Sequence, residues 1–170
     1  MDTDRSQLLN TVTYRIAEPT DEPVLWEMLY LAVFVPPGAA PPIPSILTQP
    51  ELARYVNGWG RRGDDGVIAL TRDAYAIGAA WVRLWSADDR GYGFVDVRTP
   101  ELSIAVLPEF RGCGIGTRLL RQLLHRADQA YEHVSLSVSV ANPAVRLYDR
   151  FGFVTVSTGG PSITMKRMRK

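Results

Sequence analysis

Alternating and helix-spaced hydrophobic patterns succeed one another along the chain. Thr11 to Ala17 alternates and predicts a strand. Thr20 is then a candidate N-cap for a helix over 21–34, with Asp21 and Glu22 in the first turn, where the helix dipole favours negative charge. Val24, Leu25, Met28, Leu29, Ala32 and Val33 fall on one stripe of that helix. The proline-rich residues 36–44 exclude helix and interior strand and predict a covering loop. Pro50 is placed to open a second helix ending near Trp59. A turn over 61–66 precedes strand signals at 67–71 and 74–85. Residues 86–98 are polar, contain Gly91 and Gly93, and read as a loop. A strand over 99–107 leads to a helix over 114–130, with Ile115, Leu119, Leu120, Leu123, Leu124 and Ala127 as its buried stripe. The strand over 133–140 sets Leu136, Val138 and Val140 opposite Ser135, Ser137 and Ser139. A short helix over 143–151 and strands over 153–157 and 163–168 complete the series. The order is mixed α/β, and the crossover helix between two late strands requires that pair to be parallel.

Composition narrows this picture. The chain has 170 residues, 46% hydrophobic and 22% charged, which suits one domain over 11–170 behind a flexible, polar N-terminus over 1–10. A net charge of +1 gives no global attraction to nucleic acid or to an anionic membrane, and neither is expected as a partner. The basic run from Lys166 to Lys170 reads as a solvated tail. A single cysteine allows no internal disulfide and fits a reducing compartment. No signal peptide or membrane-length apolar run is visible, so a cytoplasmic protein is expected, as a monomer or a homodimer. No His/Cys/Asp/Glu cluster has metal-ligand spacing, and no metal is expected.

The stretch Phe110-Arg111-Gly112-Cys113-Gly114-Ile115-Gly116-Thr117 carries the chemistry. Glycines at a helix start expose converging N–H groups at the positive end of the dipole, and their missing Cβ atoms let an anion approach. Arg111 adds a charge and several donors, and Thr117 a hydroxyl. The alternative is a tight strand-to-helix turn without a ligand. A dinucleotide fingerprint fails because Thr117 stands where its last glycine belongs, and a Walker loop fails for want of a lysine. The pattern Arg/Gln-x-x-Gly-x-Gly/Ala is met by Arg111, Gly114 and Gly116.

With this turn, the preceding "LSIAVLP" of residues 102–108, and "NPAVRLYDRFGF" of residues 142–153, the chain resembles the GNAT superfamily of N-acetyltransferases. The resemblance is strong over roughly 99–153 and implies a central mixed, largely antiparallel sheet. That twisted sheet would have six to seven strands and about four helices, with a splayed parallel pair that binds CoA. It implies acetyl-CoA as co-substrate and direct attack by an amine of a small molecule or peptide in a ternary complex. The rival is a non-catalytic CoA-binding regulatory module.

The resemblance also implies roles. Backbone N–H groups of Arg111, Gly112, Cys113, Gly114, Ile115, Gly116 and Thr117 take the diphosphate. The strand around Ala105, Val106 and Leu107 pairs with the pantetheine arm, and one of its N–H groups polarises the thioester carbonyl. Ile104, Ala105 and Val106 read equally as core strand. Asn142 contacts CoA, or simply caps the helix after Pro143. Tyr148 is the general acid towards the leaving thiolate, or a half-buried aromatic of the helix face. Glu101, five residues before Val106, is a general base acting directly or through water, or a solvated strand-end carboxylate. Asp96 is a weaker candidate. Cys113 lies in the diphosphate turn with no activating base in view. His125, in mid-helix, reads as a surface residue, and His133, after a helix end, as structural. Trp26, Trp59, Trp81 and Trp85 read as core or pocket wall. Phe34, Trp59 and the proline-rich loop over 35–47 are expected to wall the acceptor site, with Glu101 facing it, an arrangement suited to an amine with an apolar body.

Overall fold

The computed structural model describes residues 11–170; the expected flexible N-terminus, residues 1–10, lies outside the described residues. Seven strands form one sheet: β1 (Thr13–Ile16), β2 (Asp65–Leu70), β3 (Ala76–Arg83), β4 (Glu101–Val106), β5 (His133–Ser139), β6 (Val154–Gly159) and β7 (Ser162–Met168). Their order across the sheet is β1-β2-β3-β4-β5-β7-β6. Every neighbouring pair is antiparallel except β4 and β5. Four α-helices accompany it among the described residues: α1 (Glu22–Ala32), α2 (Pro50–Ala53), α3 (Ile115–Ala130) and α4 (Val145–Arg150). This is the mixed, largely antiparallel sheet that the resemblance implies.

The long helix α3 is the crossover between β4 and β5, and a crossover returns the chain in the same direction. Its whole expected stripe is buried: Ile115, Leu119, Leu120, Leu123, Leu124 and Ala127. It packs on β2, β3 and β4, while α1 packs on β4 and β3 through Leu25, Met28 and Leu29. Each of the buried leucine, isoleucine and methionine side chains among these contributes about 1.5–3 kcal/mol of hydrophobic stabilisation.

The parallel pair is joined at one point only, Glu101 opposite Ser135. Beyond it β4 stays with β3, to which the Leu107 N–H donates at 2.9 Å through Ile77 O. Meanwhile β5 stays with β7 as far as Ser139 opposite Ser162. The sheet therefore splits. Residues 91–94 sit at the closed end, where Ser135 Oγ donates to Gly93 O at 2.7 Å. Gly93 is required there: a Cβ on it would stand 2.6 Å from the Leu136 carbonyl carbon and 2.7 Å from Ser137 N. That loop also buries Ser135, the first residue of the serine face of β5.

Three expectations need correction. Thr20 does not cap α1. Residues 19–21 form a 3₁₀ turn, and the Asp21 carboxylate takes the Glu18 N–H at 2.7 Å and both terminal nitrogens of Arg15. The helix opened by Pro50 ends at Ala53 rather than near Trp59. Its continuation loses carbonyls to a side chain: the Arg54 and Asn57 oxygens accept from Arg83 Nη1 at 2.7 and 2.8 Å. The proline-rich segment ends in a 3₁₀ turn over Pro44–Thr48.

Candidate active site

The glycine turn projects between β4 and α3. Gly114 has φ +80°, the left-handed region that glycine adopts without a Cβ penalty. Cβ atoms built on Gly112 and Gly114 would meet nothing within 4 Å, so the space before the turn is open. None of the N–H groups of residues 112–117 donates to another described residue. Six unpartnered donors on one turn are a strong anion cradle. Arg111 anchors the turn, donating from Nε to Val106 O at 2.9 Å. Cys113 turns its thiol back to Arg111 O at 3.6 Å. Arg111, Gly112, Ile115 and Gly116 line the cleft that continues into the split, while Cys113, Gly114 and Thr117 belong to the turn without lining it.

The cleft encloses about 1190 Å³. One wall is β4. Leu107 and, by the two-residue alternation of an antiparallel ladder, Ala105 direct their backbone groups to β3. Ile104 and Val106 therefore direct theirs into the split. Of the expected Ala105, Val106 and Leu107, Ala105 and Val106 line the cleft and Leu107 does not; the groups of β4 that face the split are those of Ile104 and the N–H of Val106, whose carbonyl is taken by Arg111. Ser137, Val138 and Ser139 of β5 form the other side.

Asn142 and Tyr148 both line this cleft. Asn142 Oδ1 accepts the Ala144 N–H at 2.9 Å, so the residue caps the turn into α4, and its amide nitrogen remains open to the cleft. Tyr148 is buried, packs edge-to-face on Phe153 at 5.9 Å, and among the described residues makes no hydrogen bond through its hydroxyl. Burial pushes its phenol up to about 12.

Glu101 is not solvated. It is 2% exposed, at the closed end of the split, and lines the cleft. Its carboxylate accepts from Tyr55 Oη at 2.7 Å, Trp85 Nε1 at 2.7 Å and the Gly93 N–H at 2.9 Å. Burial raises its pKa above the usual carboxylate range, and these three donors pull the other way. Tyr55 in turn accepts the Tyr92 N–H at 2.6 Å and stacks on the Tyr92 ring at 6.3 Å. Tyr55 and Tyr92 both line the cleft and were not singled out by sequence patterning. No signal marks them, because Tyr55 is 46 residues from Glu101 and the contact is purely tertiary. Asp96 lies elsewhere, bonded to the Arg98 N–H and the Thr99 hydroxyl.

Phe34, with Val35, Pro36, Pro41 and Pro42, lines the cleft as expected of a covering loop. The Tyr30 hydroxyl fastens that loop by donating to Pro42 O at 2.7 Å. Trp59 does not line it. Its indole donates to Glu18 O at 3.0 Å and stacks near the Arg83 guanidinium, so it is a core residue. Among the described residues no group of His, Cys, Asp and Glu is arranged to hold a metal, and no helix is long and apolar enough to cross a membrane.

The sequence profile of the acetyltransferase (GNAT) family matches residues 39–153, which contain the turn, the split pair and Tyr148. The chain belongs to this family. Among curated members, an N-alpha-acetyltransferase of Sulfurisphaera tokodaii is 45% identical over 58 residues. That stretch is 32% of this chain and 35% of the relative, so the match spans about a third of the relative's length. Among solved family members, a phosphinothricin acetyltransferase from Sinorhizobium meliloti, in complex with acetyl-CoA, superposes with a TM-score of 0.65. It is 22% identical, with 94% of this chain and 89% of that one covered. A ribosomal-protein-alanine N-acetyltransferase from Brucella melitensis gives 0.63 at 18% identity over 92% and 99%. These likenesses establish the GNAT fold.

Proposed function

We propose that this protein is an acetyl-CoA-dependent N-acetyltransferase that works by direct attack of an amine in a ternary complex. The observation that carries the reading is the meeting of two features in one cleft. A turn with six unpartnered N–H groups, of whose residues Gly112, Ile115 and Gly116 line the cleft, borders the split between β4 and β5, into which the backbone groups of Ile104 and the Val106 N–H face. The first suits a diphosphate and the second an extended amide-bearing arm, the two parts of CoA that need most polar satisfaction. Acetyl-CoA supplies an activated thioester.

The chain's own groups then divide the work. The N–H of Ile104 or Val106 stabilises negative charge on the thioester oxygen. Glu101, ionised and held by its three donors, takes the ammonium proton, directly or through one water. The neutral nitrogen forms the C–N bond as the C–S bond breaks, giving the acetamide and the CoA thiol. Tyr148 is protonated throughout the working pH range. A phenol near 12 is a weaker acid than a thiol of about 8.5, so its main contribution is a hydrogen bond that strengthens as charge builds on sulfur. The nitrogen gives up its second proton to solvent, and the thiolate takes a proton from solvent as CoA departs, with Tyr148 remaining a neutral phenol.

Thiol release from acetyl-CoA over a panel of amines tests this. Tyr148→Phe keeps the packing on Phe153 and removes the donor. Its kcat is expected to fall by about 10²–10⁴ with little change in the KM for acetyl-CoA. Wild-type turnover in the variant, where chemistry limits the rate, removes Tyr148 from the mechanism. CoA binding without any acetyl transfer makes the protein a binding module.

A further inference from the structure

The charge distribution of the cleft selects among amines. Among the described residues that line it, only Arg111 and Glu101 carry a formal charge at neutral pH. Arg111 belongs to the glycine turn and is tied to Val106 O. Uncharged polar side chains, Ser103, Ser137, Ser139, Asn142 and Ser162, line it along β4, β5 and the start of β7, whereas the part towards α1 and the loops is apolar and aromatic, with Leu29, Val33, Phe34, Leu52 and the stacked Tyr55 and Tyr92. Glu101 stands directly behind Tyr55. Resting on the transferase reading above, we infer that the acceptor is a primary monoamine on an uncharged, apolar body. Its one ammonium is received by the Tyr55–Tyr92 pair and Glu101.

Three other classes meet specific obstacles. A polyamine carries a second ammonium, and the lining offers no second carboxylate to compensate it. Burying an uncompensated charge is costly. An amino acid brings a carboxylate beside its amine, and so beside buried Glu101, where like charges repel. The lone arginine is at the opposite end of β4, about 17 Å from Glu101 at ~3.3 Å per residue. A peptide N-terminus needs partners for its backbone. Pro36, Pro41 and Pro42 have no N–H, and the Tyr30 hydroxyl already donates to Pro42 O. An aryl or alkyl body asks for none of these. Its ammonium gains from the tyrosine faces, and the half-open Tyr92, 61% exposed, leaves it a way in.

Matched pairs of acceptors isolate each term. Thiol release is measured with pentylamine against 1,5-diaminopentane, and with 2-phenylethylamine against phenylalanine and the peptide Phe-Ala-Ala-Ala. The monoamine of each set is expected to exceed its partners by at least about 100-fold in kcat/KM. Equal or better use of the diamine, the amino acid or the peptide overturns the inference. Tyr92→Ala, at an exposed position, should raise the KM for 2-phenylethylamine at least about tenfold and leave the Kd for CoA unchanged. Phe34→Asp, which adds an anion to the lining, should raise 1,5-diaminopentane relative to pentylamine. If no amine is acetylated, calorimetry of 2-phenylethylamine with the CoA-saturated protein separates the two readings. Binding that is lost in Tyr92→Ala supports the selectivity and overturns the transferase; absence of binding overturns the selectivity.

Discussion

Glu101 shows how little a residue's type says about its working state. A carboxylate at a strand end is ordinarily solvated, yet here three donors converge on it in a buried pocket. Burial disfavours its charge, so its proton is held to a higher pH than on an exposed glutamate of about 4.3. A base must be ionised to act. Activity attributable to Glu101 is therefore lost as pH falls through its raised pKa, and the acid limb of kcat/KM is expected above pH ~4.3. Glu101→Gln should abolish that limb and lower kcat by about 10²–10⁴, with the pH–rate profile as the readout. A variant with the wild-type profile would transfer the role of base to water. Tyr55 is a positioning residue in this scheme, since its hydroxyl donates to Glu101 while accepting from Tyr92 N–H.

At the scale of elements, the segment after α2 is held in place by two side chains from β3, Trp81, whose Nε1 donates to Tyr55 O at 3.1 Å, and Arg83. Arg83 is 1% exposed, pairs bidentately with Asp64 at 2.9 and 2.8 Å, and takes the carbonyls of Arg54 and Asn57. Those carbonyls bracket Tyr55 and Val56, so the arginine fixes the stretch that presents Tyr55 to Glu101. A buried ion pair adds little over an apolar replacement of both partners, but removing one partner leaves a buried charge uncompensated. Asp64→Asn is expected to destabilise the fold by about 3–5 kcal/mol in denaturant unfolding. A loss under 1 kcal/mol would mean that solvent reaches the guanidinium. Arg167 makes a similar tie between β7, Asp128 of α3 and Phe151 O at the end of α4, which sets the helix that carries Tyr148.

At the scale of the whole molecule, the split leaves backbone groups of two neighbouring strands without a ladder partner. A ligand that fills the split binds the folded chain alone and so stabilises it by mass action. CoA at 100 times its Kd should add about 2.7 kcal/mol. For a domain of this size that raises Tm by roughly 5–11 °C. Gly114→Val sets a β-branched residue at φ +80° and fills the space before the turn. It should stay folded at lower stability and lose most of the CoA-dependent shift. Thermal unfolding with and without CoA decides the matter: no shift in the wild-type protein, or an undiminished one in the variant, places CoA elsewhere.

Much of this was legible in the sequence because the signals are local. The α3 stripe, the parallel crossover and the glycine turn are each set by residues within a turn or two of one another, where periodicity and backbone freedom act directly. Arg111, Gly114 and Gly116 mark an open turn at a helix start before any fold is known. What tertiary structure alone decided depends on partners distant in the chain. The helix begun at Pro50 stops because Arg83, about thirty residues on, captures its carbonyls. The open groups of β4 belong to Ile104 and Val106 because Leu107 bonds Ile77. Trp59 turns into the core, away from the cleft, to reach Glu18 O. Tyr55 meets Glu101 only when the fold brings the segment after α2 against the start of β4. Sequence periodicity records which face of an element is buried; which group buries it, and hence whether a carboxylate is solvated or buried among donors, is settled by contacts that no local pattern encodes.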